Sequence, residues 1–269
     1  LQVGAIDSMR FTIIDNDIII PTYTIPQIKG QDANGVNDSN GVYCKVIGTV
    51  LGVNTQSASS GNVAFTIHDG NVGFGVFSPA SANHNYSVNE GDVVRVIGTI
   101  GQFNGLAQVN ADSIAVVSTG ASLPTPTTIV ALDESTESDL LRMNNVTIVN
   151  PAQWTNAGSG FNVDITDGTN TIQLRIDADV DLYSQPCPVG TFDVVGIGGQ
   201  YDNSNPYTSG YQMLPRYIAD VIFPTPMSYD LAVTEIMAGS NDPNSNVSDD
   251  WFEILNYGST ARSEEHTSE

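Results

Sequence analysis

The sequence is poor in basic residues and has no long apolar run. Eight Lys and Arg stand against 30 Asp and Glu, so the 269-residue chain carries a formal net charge of -22. A chain this acidic is repelled by phosphate backbones and by anionic membrane surfaces, which argues against a general nucleic-acid or membrane binder. No stretch reaches the roughly 18 consecutive apolar residues that a membrane span needs.

Cysteine and catalytic motifs are also scarce. Cys44 and Cys187 are too few for a disulfide framework and show no CxxC spacing, so one bridge and two buried free thiols both stay open, with the thiols favoured. A GxSxG elbow, a P-loop and an HExxH motif are missing. Outside the last eight residues the histidines are His68 and His84, and no third ligand is placed as a zinc site would need. We therefore expect no catalytic site in this sequence.

What the chain has is glycine, proline and an internal repeat. Gly 25, Pro 13 and only 14% charged residues indicate an all-β protein with many turns. At an offset of 98 residues four landmarks coincide, which predicts a duplicated module. The coinciding pairs are Thr49-Val50 with Thr147-Ile148, Asp69-Gly70 with Asp167-Gly168, Gly98 with Gly196, and Gln102-Phe103 with Gln200-Tyr201.

Each copy is predicted to contain five strands, from period-2 patterns and Asp-Gly hairpin turns. In the first copy they lie near Val42–Asn54, Val63–His68, Gly73–Phe77, Asp92–Gln102 and Leu106–Val117. In the second they lie near Asn145–Gln153, Phe161–Thr166, Thr171–Ile176, Phe192–Gln200 and Tyr211–Phe223. Between the copies we predict a stiff linker at Leu123–Thr128 and a short helix over Asp133–Arg142.

This strand order is that of the OB-fold, a five-stranded Greek-key barrel. The segments GTVLGVN (48–54), FTIHDG (65–70) and GYQMLPRYIADV (210–221) resemble tandem OB-fold modules of secreted bacterial multidomain proteins, including modules attached to extracellular nucleases. The resemblance implies barrels over 21–122 and 123–226 and an extracellular or cell-surface location. It also implies that any nuclease or phosphoesterase centre of a longer parent protein lies outside this sequence.

Both ends resemble pieces of other domains. FTIIDND (11–17) resembles the last strand of a Calx-beta domain, here assigned to 1–20, in which Asp15 and Asp17 could help to bind calcium. Residues 227–261, with strands around Glu235 and Trp251, resemble the start of a lamin-tail domain. RSEEHTSE (262–269) resembles a translated sequencing adapter, and we expect it to be an artefact. The predicted fold class is therefore all-β: two tandem five-stranded OB-fold barrels flanked by truncated β-sandwich fragments.

An OB-fold binds on the face of its second and third strands, between the 1–2 and 4–5 loops. Aromatic side chains there stack on bases or sugars, and arginine pairs with phosphate. The candidate ligand-binding residues are Phe103, Trp154, Arg175, Tyr201, Tyr207, Tyr211 and Arg216. The alternative for Trp154 and Tyr211 is that they close the barrel ends as core residues.

Charge separates the ligand classes. Between residues 41 and 118 there are four acids and two bases, a net of -2; between 119 and 223 there are twelve acids and three bases, a net of -9. A single-strand binder lines its groove with several Lys or Arg, so a neutral glycan, another protein or a metal-bridged ligand fits the sequence better than single-stranded nucleic acid. The partners left open are a glycan, a protein, single-stranded nucleic acid and other domains of the same polypeptide.

Calcium is the one candidate cofactor, because clustered Asp and Asn supply the oxygen ligands that it prefers. The clusters are 32–40, 241–250 and Asp177, Asp179 and Asp181, but none completes an EF-hand, and solvated acidic loops are the alternative. The sequence thus favours a non-catalytic binding or spacer module of a secreted protein. Nucleic-acid binding for a nuclease and a calcium-rigidified repeat are the alternatives.

Overall fold

The computed structural model describes residues 19–224, 231–237 and 251–256. Residues 19–224 hold one short helix, α1, and twelve strands. Their bounds are α1 Ile25–Ile28, β1 Tyr43–Leu51, β2 Val63–His68, β3 Gly73–Ser78, β4 Val93–Phe103, β5 Leu106–Ser118, β6 Thr127–Thr128, β7 Leu140–Ile148, β8 Gly160–Thr166, β9 Thr171–Asp177, β10 Phe192–Gln200, β11 Tyr211–Leu214 and β12 Val221–Ile222. None of the helices in the described residues is long and apolar enough to cross a membrane.

The first five strands close into a barrel in the order β1-β2-β3-β5-β4, with β4 pairing back onto β1. This is the order of an OB-fold: every contact is antiparallel except the parallel β3–β5 pair. Alternate side chains of β1 and β4 point inward, so the barrel core is a set of aliphatic and aromatic residues. Ile25 and Ile28 of α1 belong to the same core and are almost completely buried.

The second barrel repeats this ring as β7-β8-β9-β11-β10, closed by the antiparallel β10–β7 pair, with β6 and β12 at its margins. The 98-residue offset holds in the strand register: Thr49 pairs with His68 in one barrel and Thr147 with Thr166 in the other. The predicted fold class, all-β with tandem OB-fold barrels, is therefore confirmed.

The hairpin turns between the second and third strands use the same hydrogen bonds in both copies. His68 Nδ1 accepts the Gly70 N–H at 2.9 Å, and its counterpart Thr166 Oγ1 accepts the Gly168 N–H at 3.0 Å. The side chain of Asp69 or Asp167 accepts the next two N–H groups. His68 thus serves a tight turn, and burial lowers its pKa.

Three secondary-structure predictions from Asp133 onward are wrong. The helix predicted over Asp133–Arg142 is only a 3-10 turn at Glu134–Thr136, and β7 begins at Leu140 instead of Asn145. Leu140 and Leu141 point to opposite faces of β7, and both faces are buried, one in the barrel core and one against the first barrel. Consecutive leucines therefore suit a strand covered on both sides.

The strand predicted over Tyr211–Phe223 is also interrupted. It is split into β11 and β12 by Pro215 and by the 3-10 turn Ile218–Asp220. Pro215 has no N–H for the sheet, and the Asp220 carboxylate accepts the N–H of Arg216 at 2.7 Å.

Two further strands, β13 Leu231–Met237 and β14 Trp251–Asn256, form an antiparallel pair in a second compact unit that begins at Pro224. Both strands lie where the sequence predicts them, while the lamin-tail resemblance stays a prediction. The predicted Calx-beta strand lies outside the described residues.

The barrels pack against each other through a contact that we call the seam, formed by residues 136–139 on one side and Lys29, Gly73 and Ala107 on the other. Gly73 N–H donates to Asp139 Oδ1 at 2.6 Å, and Ala107 N–H donates to Glu137 Oε1 at 2.8 Å. Lys29 Nζ reaches the Glu137 carbonyl at 2.6 Å. A Cβ built on Gly73 would overlap the Ser138 carbonyl oxygen, so the close approach requires glycine.

Gly73→Ala is expected to destabilise the protein by about 1–3 kcal/mol, because the added methyl group forces the seam apart. The counterpart of Gly73 in the repeat is Thr171, which is exposed, so Thr171→Ala is the matched control and should cost less than about 1 kcal/mol. Urea unfolding followed by tryptophan fluorescence measures both. Equal midpoints for the two variants would contradict the seam.

Candidate binding cleft

A large open cleft lies between the two barrels. Its volume is about 880 Å³, near the upper end of the roughly 300–1,000 Å³ that is typical of a pocket for one small molecule. Its first wall is the outer face of β2, β3 and β5, and its second wall comes from β8, β9 and β11. The residues that line it include Phe103, Gln108, Asn110, Asn162, Arg175, Asp177, Gln200, Tyr201 and Gln212.

Both walls are the faces on which an OB-fold is predicted to bind, and here they face each other. An adjoining, mainly apolar space of about 100 Å³ shares Leu106 and Leu214 with the cleft and is also lined by Val53 and Val180. The space between the barrels therefore has a mainly apolar part and a more polar part.

The two 4–5 loops meet at the upper rim. Asp202 N–H of the second barrel donates to the Asn104 carbonyl of the first at 2.8 Å. The residues immediately before these two, Phe103 and Tyr201, are counterparts in the repeat and are 62% and 61% exposed. Two exposed rings are thus held beside the same cleft by directly bonded loops.

The longer loop of the second barrel is anchored at several points. Gln200 Nε2 donates to the Tyr207 and Ser209 carbonyls, both at 3.0 Å, and Asp202 Oδ2 accepts the Ser209 hydroxyl at 2.7 Å. Tyr207 N–H donates to the Asn34 carbonyl of the first barrel at 2.8 Å. These hydrogen bonds hold the rim in place in the ligand-free protein.

Amide side chains cover the walls. Gln108 Nε2 donates to Asn110 Oδ1 at 2.8 Å on the first wall. On the second, Gln173 Oε1 accepts from both Asn162 Nδ2 at 2.9 Å and Gln212 Nε2 at 2.6 Å. These contacts leave Asn162 Oδ1 and Gln212 Oε1 with no protein partner within the described ranges, so each can accept a hydrogen bond from a ligand.

Charged groups are few in the cleft. Among the described residues, Arg175 and Asp177 are the charged side chains that line its polar part. Arg175 Nη2 already donates to the Ser159 carbonyl at 2.8 Å, and burial raises the pKa of Asp177. The two residues lie two positions apart on β9, so their opposite charges leave the cleft close to neutral.

Of the seven predicted ligand-binding residues, the structure brings Phe103, Arg175 and Tyr201 together in the polar cleft. Tyr207 is half-buried and contributes its backbone to loop anchoring. Tyr211 donates its hydroxyl to Glu134 Oε2 at 2.9 Å; burial and then this contact raise its pKa.

Trp154 and Arg216 are placed where they cannot serve as a stacking surface or a phosphate contact. Trp154 is 8% exposed, packs edge-on against Phe161 and donates its indole N–H to the Gln185 carbonyl at 2.8 Å. Trp154 is a core residue of the second barrel, because burying its large ring removes apolar surface from water. The Arg216 guanidinium is bound by Glu90 at 2.6 Å and by Asp220 at 2.9 Å, so its charge is already matched across the two barrels.

The calcium candidates do not converge on one point. No group of three His, Cys, Asp or Glu side chains suited to a metal occurs in the part of the chain that the structure describes. Asp177 Oδ1 accepts the Asp179 N–H, and Asp181 Oδ1 accepts the Ile218 N–H, so backbone groups occupy these oxygens. Asp32 accepts the N–H groups of Asn34 and Val36 in the same way. Asp15 and Asp17 lie outside the described residues.

Sequence reasoning missed the amides that make up much of the polar surface. Gln108 and Asn110 alternate with the buried Ala107, Val109 and Ala111 along β5, so period-2 alternation could have placed them outward.

The cysteines are free thiols, with Cys44 buried in the first barrel and Cys187 half-buried in the second.

Comparison with known proteins assigns neither a family nor a ligand to this chain. No protein-family model and no curated protein matches the chain. Similar solved structures include asparaginyl-tRNA synthetase from Pyrococcus horikoshii, 14% identical over 40% of this chain and 26% of that one, with a TM-score of 0.31. The p204 HINb domain is 12% identical over 66% of this chain and 94% of that one, with a TM-score of 0.32. A murine DNA-binding protein bound to double-stranded DNA is 8% identical over 78% and 98%, with a TM-score of 0.31.

The matched region spans about a quarter of the two tRNA synthetases among these structures. With identities below 15% and TM-scores near 0.3, these likenesses assign no ligand to this chain. The OB-fold topology is established by the strand pairings described above.

Trp154→Ala is expected to destabilise the protein by about 3–5 kcal/mol, because it empties part of the second core. Tyr201→Ala, which removes an exposed ring, should cost less than about 1 kcal/mol. Thermal unfolding followed by circular dichroism compares them. If Trp154→Ala kept the native melting temperature, Trp154 would not be a core residue.

Stability should also depend on the protonation of Glu137 in the seam. Burial, and then the neighbouring Glu134 carboxyl, raise the pKa of Glu137 to about 8. Within the described residues its Oε2 has no hydrogen-bond partner. Because the folded-state pKa is above the unfolded one, this group's contribution is fully present below about pH 4.5 and is lost as the pH rises through about 8.

Glu137→Gln keeps the shape of the side chain and removes the titration. Relative to wild type, the variant should gain more than about 1 kcal/mol in free energy of unfolding between pH 4.5 and pH 8.5. Urea titrations at both pH values measure this difference. An equal pH dependence in the two proteins would show that Glu137 ionises normally.

Proposed function

We propose that this chain is a non-catalytic binding module of a secreted or cell-surface bacterial protein and that its ligand lies in the cleft between the two barrels. The observation that carries the proposal is the pair of exposed rings, Phe103 and Tyr201, held beside one cleft by hydrogen-bonded loops. An exposed aromatic ring costs solvation free energy in the free protein and is a common contact point for ligands. The extracellular setting follows the sequence resemblance described above.

The layout of the cleft, with one wall from each barrel, favours an extended ligand over a compact one. Both walls and the aromatic rim lie along one opening, so a chain-like molecule would contact both barrels at once. Such a ligand would gain affinity from the seam, because the seam holds the two walls in place before binding.

The near-neutral cleft does not favour nucleic acid. Arg175 is the basic residue that lines its polar part among the described residues, and the Arg216 charge is paired with Glu90 and Asp220. A phosphate backbone would therefore meet one available cation against a strongly acidic chain.

The test is a variant that blocks the cleft. Asn162→Trp fills the second wall, whereas Val116→Trp adds the same bulk to an exposed strand position outside the cleft. Probes are neutral and acidic hexasaccharides, a proline-rich peptide and the oligonucleotide dT12, each followed by isothermal titration calorimetry. We expect a probe that binds wild type and Val116→Trp but binds Asn162→Trp at least tenfold more weakly.

A probe that bound Asn162→Trp as tightly as wild type would place the binding surface elsewhere. If no probe of any class bound wild type at millimolar concentration, the proposal that this chain is a binding module would be overturned.

A further inference from the structure

We propose that the ligand of this cleft is an uncharged polysaccharide, gripped by the Phe103–Tyr201 pair and by the wall amides. This inference rests on the proposed function and adds the chemical class of the ligand. Three independent features of the cleft carry it: its amide groups, its paired rings and its lack of net charge.

The amides match hydroxyl groups. Each primary amide both donates and accepts hydrogen bonds, and each sugar hydroxyl does the same, so rows of amides complement rows of hydroxyls without any charge. Asn162 and Gln212 each donate one N–H to Gln173 Oε1 and present their carbonyl oxygens as acceptors, while Gln108 donates one N–H to Asn110. The internal bonds hold these side chains in one orientation and reduce the entropy lost on binding.

The rings match the apolar faces of pyranose rings. Phe103 and Tyr201 lie at equivalent positions of the two 4–5 loops, and the Asp202–Asn104 hydrogen bond holds these loops together. Aromatic rings at a binding surface supply large, rigid contact area with little loss of conformational freedom. Because both rings line the cleft, one sugar chain that lies in it can contact both.

The charge pattern excludes strongly charged chains. Arg175 and Asp177 offset each other within the polar part of the cleft, and the surrounding chain is acidic, at a formal net charge of -22. Acidic polysaccharides would be repelled by the chain as a whole, and a cationic polymer would find one carboxylate in the described lining. An uncharged polysaccharide is not repelled by the acidic protein and does not need a row of carboxylates to bind.

The experiment measures binding of the intact chain to neutral hexasaccharides (β-1,4-glucan, β-1,3-glucan, xylan, mannan, α-1,4-glucan and chitin oligomers), to hexagalacturonate and to dT12. At least one neutral oligomer should bind. Phe103→Ala and Tyr201→Ala should each weaken that binding at least tenfold, whereas Tyr43→Ala, which removes an exposed ring outside the cleft, should change it less than twofold. The dissociation constant should change less than twofold between 50 and 500 mM NaCl.

Other outcomes separate this inference from the proposed function. Binding of dT12 or hexagalacturonate but of no neutral oligomer, with loss in Asn162→Trp, would overturn the polysaccharide and keep the cleft as the binding site. If Tyr43→Ala weakened the binding of a neutral oligomer as much as Tyr201→Ala does, the proposed contact of Phe103 and Tyr201 with the ligand would be overturned. No binding of any probe would overturn both proposals.

Discussion

The seam, in which residues 136–139 contact the first barrel, is the constraint on which the cleft depends. Asp139 Oδ1 accepts the Gly73 N–H and faces Lys29 Nζ at 3.4 Å, while Glu137 Oε1 accepts the Ala107 N–H. These groups are largely removed from water, where an unpaired donor or acceptor costs about 1–3 kcal/mol, so the two barrels cannot slide without losing them. Because the two walls belong to different barrels, the shape of the cleft follows from the seam.

The seam also explains why the two copies differ in sequence at matching positions. Gly73 corresponds to Thr171, because only the first copy has a neighbouring backbone pressed against that strand. Gly198 meets the same segment from the other side, where a Cβ would overlap the Thr136 carbonyl oxygen. Glycine at these two positions lets residues 136–138 lie between two sheets.

Local patterns predicted most of the fold. The bounds of β2 and β10 agree with the sequence prediction, since period-2 alternation and turn residues act over a few neighbours. The errors lie where tertiary contacts outweigh local preference: β7 begins early because Leu140 is buried against the first barrel, and the strand after Tyr211 stops where Arg216 turns toward Glu90. Trp154 was placed among the candidate binders because sequence alone cannot separate a buried ring from an exposed one near a loop.

The repeat, the strand order of each barrel and the equivalent positions of Phe103 and Tyr201 all follow from the order of the amino acids. The strands are set by the alternation of apolar and polar residues and by Asp-Gly turns, which act over a few neighbouring residues. The repeat is recognised by comparing the chain with itself at the 98-residue offset. Three features come from the packing of the two barrels: the two predicted binding faces meet, Phe103 and Tyr201 border one cleft, and the Arg216 charge is paired with Glu90 of the first barrel. Those outcomes depend on hydrogen bonds and packing between residues about 30 to 126 positions apart, which no local pattern encodes.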